Sequence, residues 1–292
     1  MKNREKILGV FFALCTITIW GSTFIFTKQL LDFFTPAQIM LVRFAIAYVV
    51  LFLMRPKFTR LTRNEILLFL VVTLTGNTLY FLAENYALSF TLASNVSIIV
   101  ATAPILTALL AHFTGTEAFR RTTLIGFFIA ISGVILVVFN GSFVLKLDPR
   151  GDLLALGAAL SWAVYSVLTI RCTSGYDPFL STRYMMLGGF LTTLPIVLVQ
   201  NAPFPTTALF SWPVGAYFLF LGFVGSGLCF LMWNTAFRYL GAVSTNSFIY
   251  AQPFITIVVA FFVLHEPLSL LAVLGAILIT LGVIVSRKQP KN

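Results

Sequence analysis

The sequence predicts an all-α integral membrane protein with ten transmembrane helices in two inverted five-helix repeats. Three observations lead to this prediction: the composition, a series of apolar segments long enough to span a bilayer, and an internal repeat. Of 292 residues, 59% are hydrophobic and 10% are charged, whereas charged residues make up roughly 25% of a typical soluble protein. So few charges could not cover the surface of a soluble fold of this length.

The apolar segments are each close to the ~20 residues that a helix needs to cross a bilayer. The first follows a basic stretch, Met1–Lys6. It is longer than a signal-peptide core and no small-residue cleavage site ends it, so we predict a retained span. The predicted spans are Ile7–Thr27, Pro36–Met54, Ile66–Ser89, Leu92–Thr114, Thr122–Phe139, Asp152–Ile170, Pro178–Val199, Trp212–Phe237, Ala242–Leu264 and Leu268–Val285.

The net charge of +10 comes from Lys and Arg residues in the short segments between spans. Their placement indicates the positive-inside rule, in which cytoplasmic loops are rich in Lys and Arg. With the N-terminus inside, most of the 19 basic residues fall on the cytoplasmic side. We therefore predict a lipid bilayer as the environment, both termini in the cytoplasm, and no nucleic-acid partner.

The internal repeat is the sharpest structural signal. Gly76–Ile135 aligns with Gly225–Ile284 without a gap, and the alignment pairs residues that seldom match by chance. These pairs include Gly76/Gly225, Asn85/Asn234, Pro104/Pro253, Gly126/Gly275 and Gly133/Gly282. We predict two repeats, residues 1–145 and 146–292. An odd number of spans in each repeat places the second in the opposite orientation, as in many secondary transporters.

Four stretches carry a resemblance to a known family: WGSTFIFTK at Trp20–Lys28, TPAQIMLVRF at Thr35–Phe44, SWAVYSV at Ser161–Val167 and AQPFITIVVAFFVLHEPLS at Ala251–Ser269. The chain resembles the EamA-type transporters of the drug/metabolite transporter superfamily over nearly its whole length. The resemblance implies ten helices, the bacterial inner (cell) membrane and transport of small metabolites, often export of amino acids. It does not fix the substrate.

Charged residues at membrane depth usually face a cavity or a partner. Arg43 and Glu84 fall at similar depth in the outer half, which suggests an ion pair at an outer gate. Alternatively, Glu84 binds a substrate amine or a coupling proton, or the pair is purely structural. The family pattern is broken here, because the repeat matches Glu84 with Trp233. Lys28 is a gating candidate through the family resemblance.

Aromatic faces with scattered amides suit a small amphiphilic solute. Such residues also form interfacial belts or join helices, which is the alternative. Pro104 and Pro253 lie in the middle of the fourth and ninth spans, where paired kinks could assist gating or be static. The candidate cavity residues are Trp20, Asn77, Tyr80, Glu84, Asn95, Trp162, Tyr165, Asn234, Asn246, Tyr250 and Gln252.

These observations together predict a secondary transporter that works by alternating access and exports a small metabolite such as an amino acid. The alternatives are import or export of another amphiphilic solute or drug, and a membrane-embedded enzyme acting on lipids. The enzyme is disfavoured because His112 and His265 fall on opposite sides. We predict no metal and no cofactor, since the chain has no GxxxxGK[ST] nucleotide-binding motif and no Cys/His cluster.

Overall fold

A computed structural model of the chain describes residues 3–56, 59–115, 121–138, 149–265 and 270–286. Within these ranges the regular structure is entirely helical, which confirms the all-α prediction. The first group of helices is α1 (Asn3–Leu30), α2 (Pro36–Met54), α3 (Arg63–Phe90), α4 (Ala93–Phe113) and α5 (Arg121–Val138). The second group is α6 (Pro149–Gly175), α7 (Pro178–Gln200), α8 (Val214–Leu240), α9 (Ala242–Val263) and α10 (Leu270–Ser286).

Eight of these helices, α1–α4 and α6–α9, are long and apolar enough to cross a membrane. The apolar helices α5 and α10 extend over 18 and 17 described residues. Large hydrophobic side chains lie on the outside of the bundle, for example Leu53 (71% exposed) and Phe113 (80%). Such surfaces suit lipid rather than water. The predicted boundary between repeats, at residues 145 and 146, lies outside the described residues.

The helices pack mainly across the two halves of the chain. Helix α1 packs on α8, α3 on α6, α2 on α7, and α5 on α10. The starts of α2 and α3 are set by local sequence, because Thr35 and Thr62 each form a capping box with the residue three positions later. This satisfies backbone N–H groups that would otherwise lack partners at a helix start.

Two long helices contain a π-helical segment, Leu74–Leu79 in α3 and Phe220–Leu228 in α8. Gly76 and Gly225, which the repeat pairs, lie in these segments. Single π-helical turns are uncommon and often occur at functional sites. In the structure the segment in α3 packs against α6, and the segment in α8 packs against α2 and α1.

Two other helices are interrupted in the middle, as the paired prolines led us to expect. In α4 the first segment ends at Val100 and the second begins at Ala103, with Pro104 in its first turn. In α9 a 3₁₀ segment, Ser247–Ala251, precedes the second segment, and Pro253 again lies in the first turn. A proline is tolerated there because its missing N–H would have no helical partner.

Candidate functional site

A cavity lies in the core where α1, α2, α3, α6 and α9 meet. The cavity encloses about 260 Å³ free of protein atoms, including its open mouth. Its interior is narrow and has room for roughly one water molecule. Ligand pockets usually begin at roughly 300 Å³, so a whole solute would need the surrounding helices to move apart. The lining residues are Trp20, Thr23, Phe24, Arg43, Tyr80, Phe81, Glu84, Trp162 and Gln252.

Aromatic rings form one wall of the cavity. The rings of Trp20 and Trp162 meet edge to face with centroids 5.3 Å apart, and Tyr80 lies 4.9 Å from Trp162. The Trp20 indole Nε1 donates a hydrogen bond of 2.8 Å to the Gly225 carbonyl in the π-helical segment of α8. Because this bond fixes the Trp20 ring, the wall is preorganised for apolar groups.

A buried arginine faces the cavity from α2. The Arg43 side chain is 1% exposed, and its Nε donates a 2.9 Å hydrogen bond to the Ser226 hydroxyl. Its guanidinium carbon lies 4.2 Å from the centroid of the Phe81 ring, in a cation–π contact. The Nη1 atom is buried and has no hydrogen-bond partner. Such an unpaired charged donor is costly in a low-dielectric core, which indicates capacity for a ligand.

A carboxyl group, Glu84 on α3, faces the same cavity. One of its oxygens, Oε2, accepts a hydrogen bond from the Tyr80 hydroxyl one helical turn earlier. The structure records an ion pair between Arg55 and Asp177 but none between Arg43 and Glu84. Arg43 and Glu84 therefore line one cavity without the direct ion pair considered from the sequence, and both keep capacity for another partner.

Two buried amides join helices rather than line the cavity. The Trp162 Nε1 donates to Asn246 Oδ1 at 2.9 Å, and Asn246 Nδ2 donates to the Thr107 hydroxyl at 3.1 Å. In a second chain of bonds, the Tyr165 hydroxyl donates to Asn234 Oδ1 at 2.8 Å. Asn234 Nδ2 in turn donates to the Thr182 hydroxyl at 2.9 Å. These networks hold α4, α6, α7, α8 and α9 together.

The remaining candidates also lie away from the cavity lining. Asn77 Nδ2 approaches the Met186 sulfur at 4.0 Å, and Asn95 donates to the Thr91 hydroxyl at 3.2 Å. Lys28 Nζ donates to the Thr91 carbonyl at 2.5 Å, beyond the end of α3, where a cation is favoured by the helix dipole. Tyr250 is buried in α9, and Pro104 and Pro253 mark the helix interruptions.

The structure thus brings six sequence candidates together at the cavity: Trp20, Arg43, Tyr80, Glu84, Trp162 and Gln252. Sequence reasoning missed Thr23, Phe24 and Phe81. A signal for them existed, because residues three or four positions apart share a helix face. Thr23 and Phe24 stand in that relation to Trp20, and Phe81 stands in it to Glu84.

An apolar bundle with lipid-facing outer surfaces and a charged, aromatic cavity in its core defines a multi-pass membrane protein. The model of the EamA-like transporter family matches residues 7–139 and again residues 149–287. The chain belongs to this family. Its members and relatives are transporters rather than enzymes.

The alignments with related proteins cover almost the whole chain. An uncharacterized transporter of Bacillus subtilis, YyaM, is 28% identical over 96% of this chain and 94% of its own length. A probable terminal-alkyne amino-acid exporter of Streptantibioticus cattleyicolor is 26% identical over 94% of this chain and 91% of its own length. A crystal structure with 18% sequence identity superposes with a TM-score of 0.76, covering 98% of this chain and 99% of the other. This last similarity shows the fold.

Proposed function

We propose that the protein is a secondary transporter that moves a small metabolite by alternating access, as an exporter of an amino acid or a related compound. In this proposal ten helices in two inverted repeats span the cytoplasmic (inner) membrane, with both termini in the cytoplasm. The observation that carries the proposal is a charged and aromatic cavity between two halves that contact each other through repeat-related residues.

The contacts between the halves support the inverted arrangement. A Cβ placed on Gly76 would meet the ring of Tyr165, and a Cβ placed on Gly225 would meet Thr23. Gly76 pairs with Gly225 in the repeat, and Tyr165 occupies in α6 the place that Thr23 occupies in α1. The same contact is thus made once from each half. Two halves related in this way can pack in two similar arrangements, one open to each side.

The lining of the cavity supports a solute with both polar and apolar parts. Arg43 and Glu84 offer opposite charges, and Trp20 and Trp162 offer an apolar wall. The relative from Streptantibioticus cattleyicolor is named as a probable terminal-alkyne amino-acid exporter, and it aligns with nearly the whole chain. An amino acid or a related metabolite is the cargo class that fits these observations.

Counterflow in proteoliposomes tests the proposal. Vesicles containing purified protein and unlabelled amino acids should accumulate labelled solute transiently, and the initial rate should saturate with concentration. Labelled solute accumulates because the excess unlabelled solute inside competes with it for the carrier and slows its exit, whereas a channel shows no such competition. Empty vesicles provide the baseline. Flux that rises without saturation and shows no counterflow would contradict alternating access.

We expect a proton that is coupled to transport to bind to the Glu84 carboxylate. This carboxyl lies in the cavity and can alternate between a proton and a cationic group of the cargo. We expect Glu84→Gln to remove the response of transport to an imposed pH gradient, because glutamine cannot release a proton. Uptake driven by the gradient measures this response.

The matched control for this variant is Glu65→Gln. Glu65 closes the capping box at the start of α3, and glutamine can serve the same role. The control should keep the wild-type pH response. Transport by Glu84→Gln that still follows the pH gradient would rule out Glu84 as the coupling group.

A further inference from the structure

The unpaired donor of Arg43 points to the ligand chemistry of the cavity. Its guanidinium is held on two sides, by Ser226 through Nε and by the Phe81 ring, whose centroid lies 4.2 Å from the guanidinium carbon. This leaves Nη1 buried without a hydrogen-bond partner beside the cavity. A planar guanidinium edge is matched best by a carboxylate, which can accept two parallel hydrogen bonds.

The opposite charge is supplied by Glu84. The Tyr80 hydroxyl engages Oε2 and holds the carboxyl group against the cavity. The second oxygen, Oε1, is left for a cationic group. Arg43 and Glu84 line one small cavity but are not joined in a direct ion pair. A solute that carries both charges close together can bridge them.

We infer that the cavity binds a zwitterionic solute, whose carboxylate is held by Arg43 Nη1 and whose ammonium group is held by Glu84. Its apolar side chain lies against Trp20 and Trp162. This inference rests on the proposed transport function and adds the residues that select the cargo. It assigns Arg43 as the residue that distinguishes a carboxylate from its uncharged analogues, and so it goes beyond the ion pair considered from the sequence.

Four compounds that share the isobutyl group of leucine test the inference: L-leucine, L-leucinamide, 3-methylbutylamine and 4-methylpentanoate. The second and third lack the carboxylate, and the fourth lacks the ammonium group. Binding to the purified protein is measured by intrinsic fluorescence, because Trp20 and Trp162 line the cavity. We expect the wild type to bind leucine roughly 10- to 100-fold more tightly than leucinamide, the range for a buried charged hydrogen bond.

Two substitutions assign this preference to Arg43. We expect Arg43→Gln to lower the ratio of leucine affinity to leucinamide affinity to about 1. Arg43→Lys should retain a smaller ratio, since it keeps a cation but loses the planar fork. The control is Arg183→Gln, which changes an equally buried membrane arginine whose Nη1 donates to the Arg55 carbonyl at 2.6 Å, away from the cavity. The control should keep the wild-type ratio.

A ratio near 1 in the wild type, or an unchanged ratio in Arg43→Gln and Arg43→Lys, would overturn the inference. Because the ratio compares two ligands on one protein, a general loss of stability does not mimic the expected result. Counterflow separates the inference from the proposed function. Transport without carboxylate preference would contradict the inference alone, whereas selective binding without counterflow would contradict the transport function alone.

Discussion

Replacing Gly76 by alanine is expected to destabilise the protein severely. A Cβ at this position would lie 2.1 Å from a ring carbon of Tyr165, far inside van der Waals contact. Tyr165 is fully buried and its hydroxyl is bonded to Asn234, so its ring cannot turn aside without losing that bond. Helices α3 and α6 must therefore separate. Overpacking of this kind costs about 3 kcal/mol, seen as a lower melting temperature in detergent.

The matched control for Gly76→Ala lies on the exposed face of α6. A Cβ on Gly157 would have no atom within 4 Å, and alanine is favoured over glycine inside a helix by about 1 kcal/mol. Gly157→Ala should therefore melt at or above the wild-type temperature. Equal melting of Gly76→Ala and the wild type would contradict the contact between α3 and α6.

The main architecture was predictable because each membrane span requires a long apolar segment, which is easily recognised in the sequence. The lengths of the apolar segments predicted the helices, and the predicted start of α2 at Pro36 agrees with the structure. The break predicted between the spans that end at Ser89 and begin at Leu92 is present in the structure, because α3 ends at Phe90 and α4 begins at Ala93. These features depend on local sequence, and so they can be deduced without tertiary contacts.

The π-helical segments and the cavity lining were less accessible to sequence reasoning. A π-helical turn has no distinct residue pattern, and its presence around Gly76 and Gly225 depends on how α3 and α8 meet their neighbours. The roles of the amides depended on packing in the same way. Asn234 and Asn246 have the residue type of a ligand-binding group, but their hydrogen bonds to Thr182 and Thr107 make them links between helices.

The glycine pairs show what can and what cannot be predicted about helix packing from the sequence. Gly126, Gly133, Gly275 and Gly282 repeat at seven-residue intervals, which allows a close helix–helix approach. From this spacing alone the partner could be the other half or another copy of the chain. In the structure α5 packs on α10 within one chain, and Gly282 lies against the backbone of Gly126 and Ala130.

Replacing Gly282 by valine is accordingly expected to force α5 and α10 apart. A Cβ at Gly282 would lie 2.6 Å from both the Ala130 nitrogen and the Gly126 oxygen. These are backbone atoms of α5, so no side-chain rotation can relieve the overlap. We expect a loss of about 3 kcal/mol, measured as a fall in melting temperature. Gly157→Val makes the same change in open space and should have a small effect.

A second-site variant distinguishes a backbone collision from a side-chain collision. A Cβ added to Gly282 would lie 2.7 Å from the Ala130 Cβ, so Ala130→Gly would remove one of the three overlaps. The two backbone overlaps would remain. We therefore expect Ala130→Gly to restore little of the stability lost in Gly282→Val. Full restoration would mean that α5 and α10 are kept apart by side chains, and that their backbones are not in the close contact that the glycine provides.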